Sequence, residues 1–513
     1  MKYTFNPLFL KNTLVTGLFL VSSLSATAFC GFYVAKAGAE LFNNKSEVIL
    51  VRDGLKTVIT MSNDFKGDAK DFAMVVPVPV VLQKDQIRIA NRNVFAALDA
   101  YSAPRLVEYY DPQPCYDNSV MYDVFAPRMS MKNKSAEMAT VSEDKYQVKI
   151  EAQYTVGEYD IIILSAEQSD GLRRWLTDNG YTIPDKANEV LEPYIKSNMK
   201  FFVVKVNLEE MKNMGYDYLR PIQISFNSPK FMLPLRLGMA NSQGVQDMIV
   251  YAFTRTGRIE ATNYRTVKVP TDRNIPLYVK PRFGEFYTDL FGKAYRNEGR
   301  NCVFLEYAWN VTPSFGGMKC DPCVGPPPIF SDLAEAGVDW AQGVNDGSAN
   351  VFFTRLHVRY SRDKFPQDLM FQVTPNTEHF QGRYILTHPA YAQDKTSFKC
   401  DEGQVYVENL INRRMRETDE LVALTSWDVT PHAQYITEYA NYLADEQKKE
   451  ELIPVLPGST GGKGNRIYAP SPGRVEGIKS TPLLLIVISG VFLIMLAANL
   501  TGVKNRFALL IRK

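Results

Sequence analysis

Histidine is scarce in this 513-residue chain, and its scarcity limits the chemistry that the sequence can encode. The 4 histidines are His357, His379, His388 and His432. No two of them have the helical spacing of paired metal ligands, and there is no His-Glu-x-x-His motif. A Gly-x-Ser-x-Gly nucleophile motif is missing as well. The sequence therefore predicts no catalytic residue, no bound cofactor and no metal site.

An excess of positive charge is also missing from most of the chain. The formal net charge is +2, from 58 basic and 56 acidic residues. Two lysines lie in residues 1–28 and four basic residues in residues 504–513, so the rest of the chain carries a net charge of −4. Nucleic-acid binding needs a basic face. We therefore expect no nucleic-acid partner.

The first 28 residues have the composition of a signal peptide. They begin with two lysines, continue with apolar and small residues, and end on Ala26-Thr27-Ala28, a small-x-small pattern. We interpret residues 1–28 as a signal peptide that is removed, with an uncleaved N-terminal anchor as the alternative. Cys30 follows Phe29 rather than a small residue, which argues against lipidation of this cysteine.

The other end of the chain predicts a membrane anchor. Residues 481–503 contain no charged residue and are long enough to cross a hydrocarbon core of ~30 Å as one helix. Residues 504–513 are basic and contain no acid, and short basic flanks stay on the cytoplasmic side. Residues 453–480 are rich in Gly, Pro and Ser, which predicts a flexible stalk. The bulk of the chain is then expected on the outer side of the membrane.

Between the two ends, the sequence predicts a β-rich α+β ectodomain with a few packed helices. We divide it into residues 29–270 and a cysteine-containing part, residues 271–452. Asp53-Gly54, between two β-branched runs, predicts a hairpin turn, and Thr256-Gly257 predicts a second one. The apolar run 72–82 contains two prolines and is expected as an edge strand or an irregular segment.

Four stretches predict helices in the ectodomain, one of which is expected to be capped by Asp185 and to kink or end at Pro193. Val94, Phe95, Leu98 and Tyr101 share one helical face that ends before Pro104. Ser169 is expected to cap a helix that buries Leu172, Trp175 and Leu176. Residues 430–452 place Tyr435, Ile436, Tyr439, Tyr442 and Leu443 on one face.

The six cysteines are candidates for structural disulfides. Outside the cytosol an even number favours pairing, and six cysteines allow fifteen pairings. Cys320 and Cys323 could instead be a redox pair or half of a metal site. Cys323 is followed by Val-Gly-Pro-Pro-Pro, a sequence that cannot begin the helix whose N-terminus lowers the pKa of a redox thiol. A zinc ribbon needs a second pair of closely spaced cysteines, and the sequence has none. The candidates are Cys30, Cys115, Cys302, Cys320, Cys323 and Cys400.

Two further groups of residues allow a functional and a structural interpretation. Arg355, His357 and Arg359 share one face of an alternating strand, which is either a small anion site or, as we favour, a solvated polar face above a buried one. Four methionines could bind a soft metal ion but lie in a sequence typical of an exposed loop; they are Met121, Met129, Met131 and Met138.

Several long stretches resemble a known bacterial family. They are CGFYVAKAGAELFNNKSEVILVRDGLKTVITMSNDFKGD, DFAMVVPVP, LDAYSAPRLVEYYDPQPC, RRWLTDNGYTIP, CDPC and FFTRLHVRYSRDKFPQDL. The chain resembles the exported bacterial proteins grouped as domain of unknown function 2330, from Cys30 to about residue 450. The resemblance implies a bacterial origin, export and, often, a C-terminal anchor. It carries over no catalytic residue.

The sequence thus favours a membrane-anchored bacterial envelope protein that binds a protein or polymer partner on the periplasmic or extracellular side. Two other functions stay open. One is an exported enzyme, either a thiol–disulfide oxidoreductase that uses Cys320 and Cys323 or a hydrolase. The other is an accessory subunit of a membrane complex, for which Ser489-Gly490 and Ala497-Ala498 would give the membrane helix a close-packing face.

Overall fold

The structure is a computed structural model, and it describes most of the chain between residues 32 and 444. The described residues are 32–36, 46–63, 71–115, 148–179, 181–182, 187–216, 218–240, 244–312, 327–342, 348–394 and 396–444. The predicted signal peptide, stalk, membrane helix and basic tail lie outside them, as do Cys30, Cys320, Cys323 and the four methionines of the predicted loop. Within the described part, no helix has the length and hydropathy that a membrane span requires.

The described chain is a mixed α+β structure. Its strands are β1 Phe32–Lys36, β2 Ser46–Asp53, β3 Lys56–Asn63, β4 Asp71–Val78, β5 Ile87–Ile89, β6 Arg105–Tyr110, β7 Val148–Val156, β8 Tyr159–Ala166, β9 Tyr181–Thr182, β10 Lys200–Asn207, β11 Ile222–Asn227, β12 Met232–Leu233, β13 Gln246–Thr254, β14 Ile259–Ala261, β15 Arg265–Lys268, β16 Arg273–Asn274, β17 Cys302–Asn310, β18 Phe352–Tyr360, β19 Leu369–Val373, β20 Phe380–Gln381 and β21 Arg383–His388.

The helices are fewer and shorter, with two exceptions near the C-terminal end. They are α1 Asn93–Ser102, α2 Ser169–Asp178, α3 Ala187–Lys196, α4 Leu208–Asn213, α5 Arg236–Ala240, α6 Phe283–Asn297, α7 Phe330–Ala336, α8 Asp401–Thr425 and α9 Gln434–Thr437. Short 3-10 helices lie at Lys84–Gln86, Leu277–Arg282, Asp339–Ala341, Thr430–His432 and Ala440–Tyr442.

Two large sheets form the centre of the molecule. The 9-stranded sheet has the order β15-β17-β18-β13-β2-β3-β11-β5, with β20 paired to β17, and the 6-stranded sheet has the order β7-β8-β10-β4-β1-β9. The larger sheet takes strands from both sides of residue 270. Two 3-stranded sheets, β12-β19-β14 and β16-β21-β6, complete the described strands.

The two large sheets pack face to face and are covered by helices on their outer faces. Leu356 and Val358 of β18 share a buried cluster with Phe202 and Val204 of β10. On the other side of the larger sheet, residues of α1 and α7 cover the strands, while α2 and α3 cover the smaller sheet. Each sheet therefore buries both faces, as layered folds require.

The predicted hairpin at Asp53-Gly54 is confirmed. β2 and β3 pair antiparallel in a register that matches Asp53 with Lys56, and Gly54 has φ +56°, which glycine adopts without steric cost. The helix predicted around Val94 is confirmed as α1. The helix predicted after Ser169 is confirmed as α2, although the N-cap residue is Gln168 and Ser169 is its first helical residue.

Three expectations about individual elements are wrong. The run 72–82 supplies β4, which is an interior strand and not an edge strand. Among the described residues, β10 pairs along the whole of β4 and β1 pairs with Phe72–Val75. Thr256-Gly257 makes no hairpin, because β14 leaves β13 and pairs with β19 in another sheet. The described start of the helix predicted over 430–452 is a series of short turns.

Candidate functional site

Three of the six cysteines lie in the described part of the chain. Cys115 and Cys400 form a disulfide across 285 residues of sequence, with Cα atoms 5.8 Å apart. Cys302, at the start of β17, is a free and fully buried thiol. Burial raises the pKa of this thiol to about 11, and a thiol that stays protonated is a poor nucleophile. The described cysteines therefore supply one structural crosslink and one inert side chain.

The polar face of β18 is neither solvated nor an open anion site. Helix α6 covers it, and the ring of Phe291 stacks on the imidazole of His357 with centroids 3.8 Å apart. The guanidinium of Arg359 lies 4.8 Å from the same ring. The opposite face of β18 is buried, as the alternation predicted. The preferred expectation of a solvated face is thus wrong, because a helix distant in sequence packs over it.

Carboxylates from two neighbouring strands fill this covered face. Glu306 of β17, 1% exposed, accepts from Arg355 Nε at 2.6 Å and lies 2.8 Å from His357 Nδ1. Asp247 of β13 lies 3.1 Å from His357 Nε2 and accepts two bonds from Arg359 at 2.7 and 2.8 Å. We call these five residues the buried ion network; Glu306 and Arg355 form its buried centre, and Asp247, whose side chain is 41% exposed, lies at its edge.

Two side chains from helices extend the network. Asp99 of α1 accepts from Arg355 Nη1 at 2.7 Å, and the hydroxyl of Tyr287 in α6 donates to Glu306. With His357 protonated, three positive groups face three carboxylates. The network therefore joins α1, three strands of the sheet and α6 without a net charge.

The pKa shifts in the network follow from this pairing. Burial alone would raise the pKa of Glu306, but the charges of His357 and Arg355 outweigh it and lower the pKa to about 2. Burial alone would lower the pKa of His357, but Glu306 and Asp247 outweigh it and raise the pKa. The imidazolium form is therefore favoured, and both of its N–H groups donate to carboxylates.

This arrangement stabilises the fold and leaves no group ready for catalysis. A general base needs a nitrogen or oxygen within reach of a substrate proton, whereas both ring nitrogens of His357 are occupied by carboxylates. Sequence reasoning found the three cations and missed both acids. One signal in the sequence could have revealed Glu306. It is the one charged residue in the otherwise apolar strand β17, and an unpaired charge there would be costly, so a buried cationic partner is expected.

Among the described residues, no group of three or more His, Cys, Asp or Glu side chains could hold a metal ion.

Another candidate feature is a surface at the ends of β6 and β21, which pair in parallel and match Tyr110 with His388. Their rings stack with centroids 4.4 Å apart and 8° between planes. Tyr110 and Tyr391 are each 72% exposed. Gln113 joins the two segments by donating to the carbonyl of Tyr391 at 2.6 Å.

Charged groups lie beside these rings. Glu108 is on the same face of β6 as Tyr110, since side chains alternate along a strand, and it lies 2.7 Å from His388 Nε2 and 2.8 Å from Lys280 Nζ. Lys280 and His388 lower the pKa of Glu108, so its carboxylate remains a hydrogen-bond acceptor. We call Glu108, Tyr110, His388 and Tyr391 the tyrosine surface.

A family model matches residues 24–372 of the chain, and its description is an uncharacterized protein conserved in bacteria, domain of unknown function 2330. The chain belongs to this family. No curated protein matches it. The crystal structure of baculovirus P35 aligns with 65% of this chain and 98% of its own, at 10% identity and a TM-score of 0.26. A likeness at that score supports no conclusion about fold or function.

The family match covers all of the buried ion network but only part of the tyrosine surface. The buried ion network lies wholly inside residues 24–372, so it belongs to the part of the chain that defines the family. The tyrosine surface combines Glu108 and Tyr110 from the matched part with His388 and Tyr391 from beyond it. The disulfide likewise connects Cys115 to Cys400 across the end of the match. The residues after 372 are thus fastened covalently to the family part at this surface.

Proposed function

We propose that this member of the family is an exported, membrane-anchored envelope protein that works as a binding module without catalysis. Its apolar, basic-ended C-terminal segment supports the anchor, and its N-terminal segment supports export. The bulk of the chain then lies on the periplasmic or extracellular side. The single observation that carries the binding role is the tyrosine surface beside the Cys115–Cys400 disulfide.

The chemistry of the tyrosine surface favours a polysaccharide as the polymer that is bound. Sugar rings have an apolar C–H face that packs on an exposed aromatic ring, and hydroxyl groups that need polar partners at its edge. Tyr110 offers one ring face while His388 supports the other. Glu108 offers an ionised acceptor and Lys280 a donor beside it.

The tyrosine surface is less suited to a protein–protein interface from which water is excluded. The centres of such interfaces are depleted of charged residues and combine aromatic with other apolar side chains. Here the exposed hydrophobic side chains of β6 and β21 are tyrosines, and an ion pair adjoins them. The mixture of flat rings and charged hydrogen-bonding groups is typical of a surface for a hydroxyl-rich chain.

Co-sedimentation of the purified full chain with insoluble, peptide-free cell-wall glycan tests the proposal. We expect binding, and we expect Tyr110→Ala and Tyr391→Ala each to weaken it by roughly 3- to 10-fold, the size of one aromatic contact. Val245→Ala removes an exposed apolar side chain elsewhere and should leave binding unchanged. Absence of co-sedimentation, or binding that both tyrosine variants retain, would refute the glycan-binding role.

The rival function is an exported thiol–disulfide oxidoreductase that uses Cys320 and Cys323. It is supported by their spacing alone, since both lie outside the described residues. Alkylation of the native, non-reduced protein separates the two functions. The Cys302→Ala variant makes the experiment clean, because it removes the free buried thiol. Five cysteines remain in that variant and two of them form the Cys115–Cys400 disulfide, so at least one thiol stays unpaired within the chain, and peptide mapping is needed to locate the labelled positions. Rapid labelling at both Cys320 and Cys323 supports the enzyme, and labelling at neither of them supports the binding module.

A further inference from the structure

A pocket of about 230 Å³ lies at one end of the larger sheet, away from the elements of the tyrosine surface. β2 and β13 are parallel neighbours there, with Arg52 opposite Thr254. The next residues, Asp53 and Arg255, therefore leave adjacent carboxyl ends of parallel strands. That location is the one at which open α/β sheets bind small ligands.

Four charged side chains of alternating sign line the pocket. Arg255 donates to both carboxylate oxygens of Asp53 at 2.7 Å. Lys56 lies opposite Asp53 in the hairpin register and forms an ion pair with Asp339. The four side chains are between 35% and 56% exposed, so each can add a partner from the solvent side. Their charges sum to zero.

The floor of the pocket is apolar. Val51 and Val58 are almost completely buried, and the Trp340 ring lies 4.6 Å below the guanidinium of Arg255. Gly337, with φ +95°, closes the floor; a Cβ there would meet Val58 Cγ1 at 2.8 Å. Gly337 thus packs directly against Val58, and Trp340 is the apolar side chain of the lining that stays partly exposed.

We propose that this pocket binds a small zwitterion, namely a free amino acid or dipeptide with an apolar side chain. The ligand carboxylate pairs with Arg255 and Lys56, and its ammonium pairs with Asp53 and Asp339. Its side chain lies beside Trp340, the partly exposed apolar residue of the lining. The volume of about 230 Å³ is many times the space that one water molecule needs, which leaves room for a ligand of this size.

The charge pattern is what selects the ligand class. Wherever a singly charged ion binds among the four side chains, one side chain attracts it and the neighbouring side chain of like charge repels it. A zwitterion meets an opposite charge at both ends. The internal ion pairs hold the four side chains in place before binding, which lowers the entropy lost when the ligand binds.

Titration calorimetry of the full chain with the dipeptide Ala-Leu tests the proposal. We expect saturable binding, and about tenfold or greater weakening when both termini of the dipeptide are capped, since charge-assisted hydrogen bonds are lost. Arg255→Gln and Lys56→Gln should weaken binding of the free dipeptide by a similar factor. The matched control is Arg265→Gln, an exposed arginine paired with Glu298, which should bind as the parent does.

The outcomes decide the proposal without depending on the glycan assay. No saturable heat with the free dipeptide overturns it, and so does equal binding of the capped dipeptide. Each variant is checked for a parental melting curve, so a loss of dipeptide binding cannot be attributed to unfolding. Weakening by Arg265→Gln as large as that by Arg255→Gln would place the site elsewhere and overturn the assignment.

Discussion

At the scale of single residues, Glu306 decides whether the covered face of the larger sheet is stable. It is the carboxylate that both Arg355 and His357 contact. Removing one partner from a buried ion pair costs about 3–5 kcal/mol, because the opposite charge is left unpaired away from water. We therefore expect Glu306→Gln to lower the free energy of unfolding by about 3–5 kcal/mol, as measured by urea denaturation.

Glu285→Gln is the matched control for that measurement. Glu285 lies in α6 and pairs with Arg282, but its side chain is 63% exposed. Exposed ion pairs contribute at most about 1 kcal/mol, so this variant should unfold nearly as the parent does. If Glu306→Gln unfolded as readily as Glu285→Gln, the network would contribute little to stability.

The pH dependence of stability tests the protonation of His357. A raised pKa in the folded state stabilises the protein below the unfolded value of ~6.5, and this contribution is lost as the pH rises through the folded pKa. The lowered pKa of Glu306 acts in the opposite sense. Its contribution is present above ~4.3 and is lost as the pH falls towards its folded value of about 2.

We therefore expect the free energy of unfolding to fall as the pH is raised above ~6.5. In His357→Gln this alkaline decrease should be smaller. The control is His379→Gln, an exposed histidine that stacks on Trp309 and should keep the parental profile. Urea titrations at a series of pH values measure both. An alkaline decrease that is equal in His357→Gln and the parent would contradict a protonated His357.

The sequence predicted three of the five residues of the buried ion network. Alternation along β18 placed Arg355, His357 and Arg359 on one face, because side-chain direction in a strand has a period of two. It could not predict the acids or the covering ring. Glu306 is 51 residues from His357 and Asp247 is 110 residues away, and only the pairing of β17, β18 and β13 brings them together.

At the scale of elements, local signals predicted local structure well. The β2–β3 hairpin, α1 and α2 depend on turn residues and on one apolar face, and all three are confirmed. Helices α6 and α8 were missed. In α8 the apolar positions Leu410, Ile411 and Leu421 are interrupted by polar side chains that are also buried, Arg414, Glu417 and Thr418. A buried polar stripe masks the helical period on which the prediction depends.

The disulfide lies at the start of α8. Cys400 is the N-cap residue of α8, and the bond to Cys115 closes a loop of 285 residues. Closing a loop of this length restricts the unfolded chain and stabilises the folded one by about 2–5 kcal/mol. We expect the double variant Cys115→Ser/Cys400→Ser to lose about that amount in urea denaturation without reductant.

Cys302→Ala is the control for the disulfide variant, since Cys302 is unpaired. It removes one buried sulfur atom and should cost less than the double variant. Near-parental stability of the double variant would show that the ion pair of Asp111 with Arg413, at 2.7 and 3.0 Å, is enough to hold α8.

At the scale of the whole molecule, the orientation across the membrane is the prediction on which the envelope assignment depends. Protease added outside intact spheroplasts should digest residues 29–450 and leave the tail after residue 503 protected, because short basic flanks remain inside. Immunoblots with antibodies to the ectodomain and to the tail measure this. Digestion of the tail with an intact ectodomain would reverse the orientation. A cytoplasmic protein digested only after lysis is the control.

The crosslink between Cys115 and Cys400 also determines how the protein would respond to mechanical tension. A pull applied between the C-terminal end and the chain before Cys115 would pass from Cys400 directly to Cys115, so the segment between the two cysteines, which are 285 positions apart in sequence, would not be extended. That shielded length corresponds to about 1,000 Å of extended backbone at ~3.3–3.6 Å per residue. With the bond intact, tension between the C-terminal end and the chain before Cys115 passes through the crosslink, and most strands of the two large sheets stay outside the path of that force.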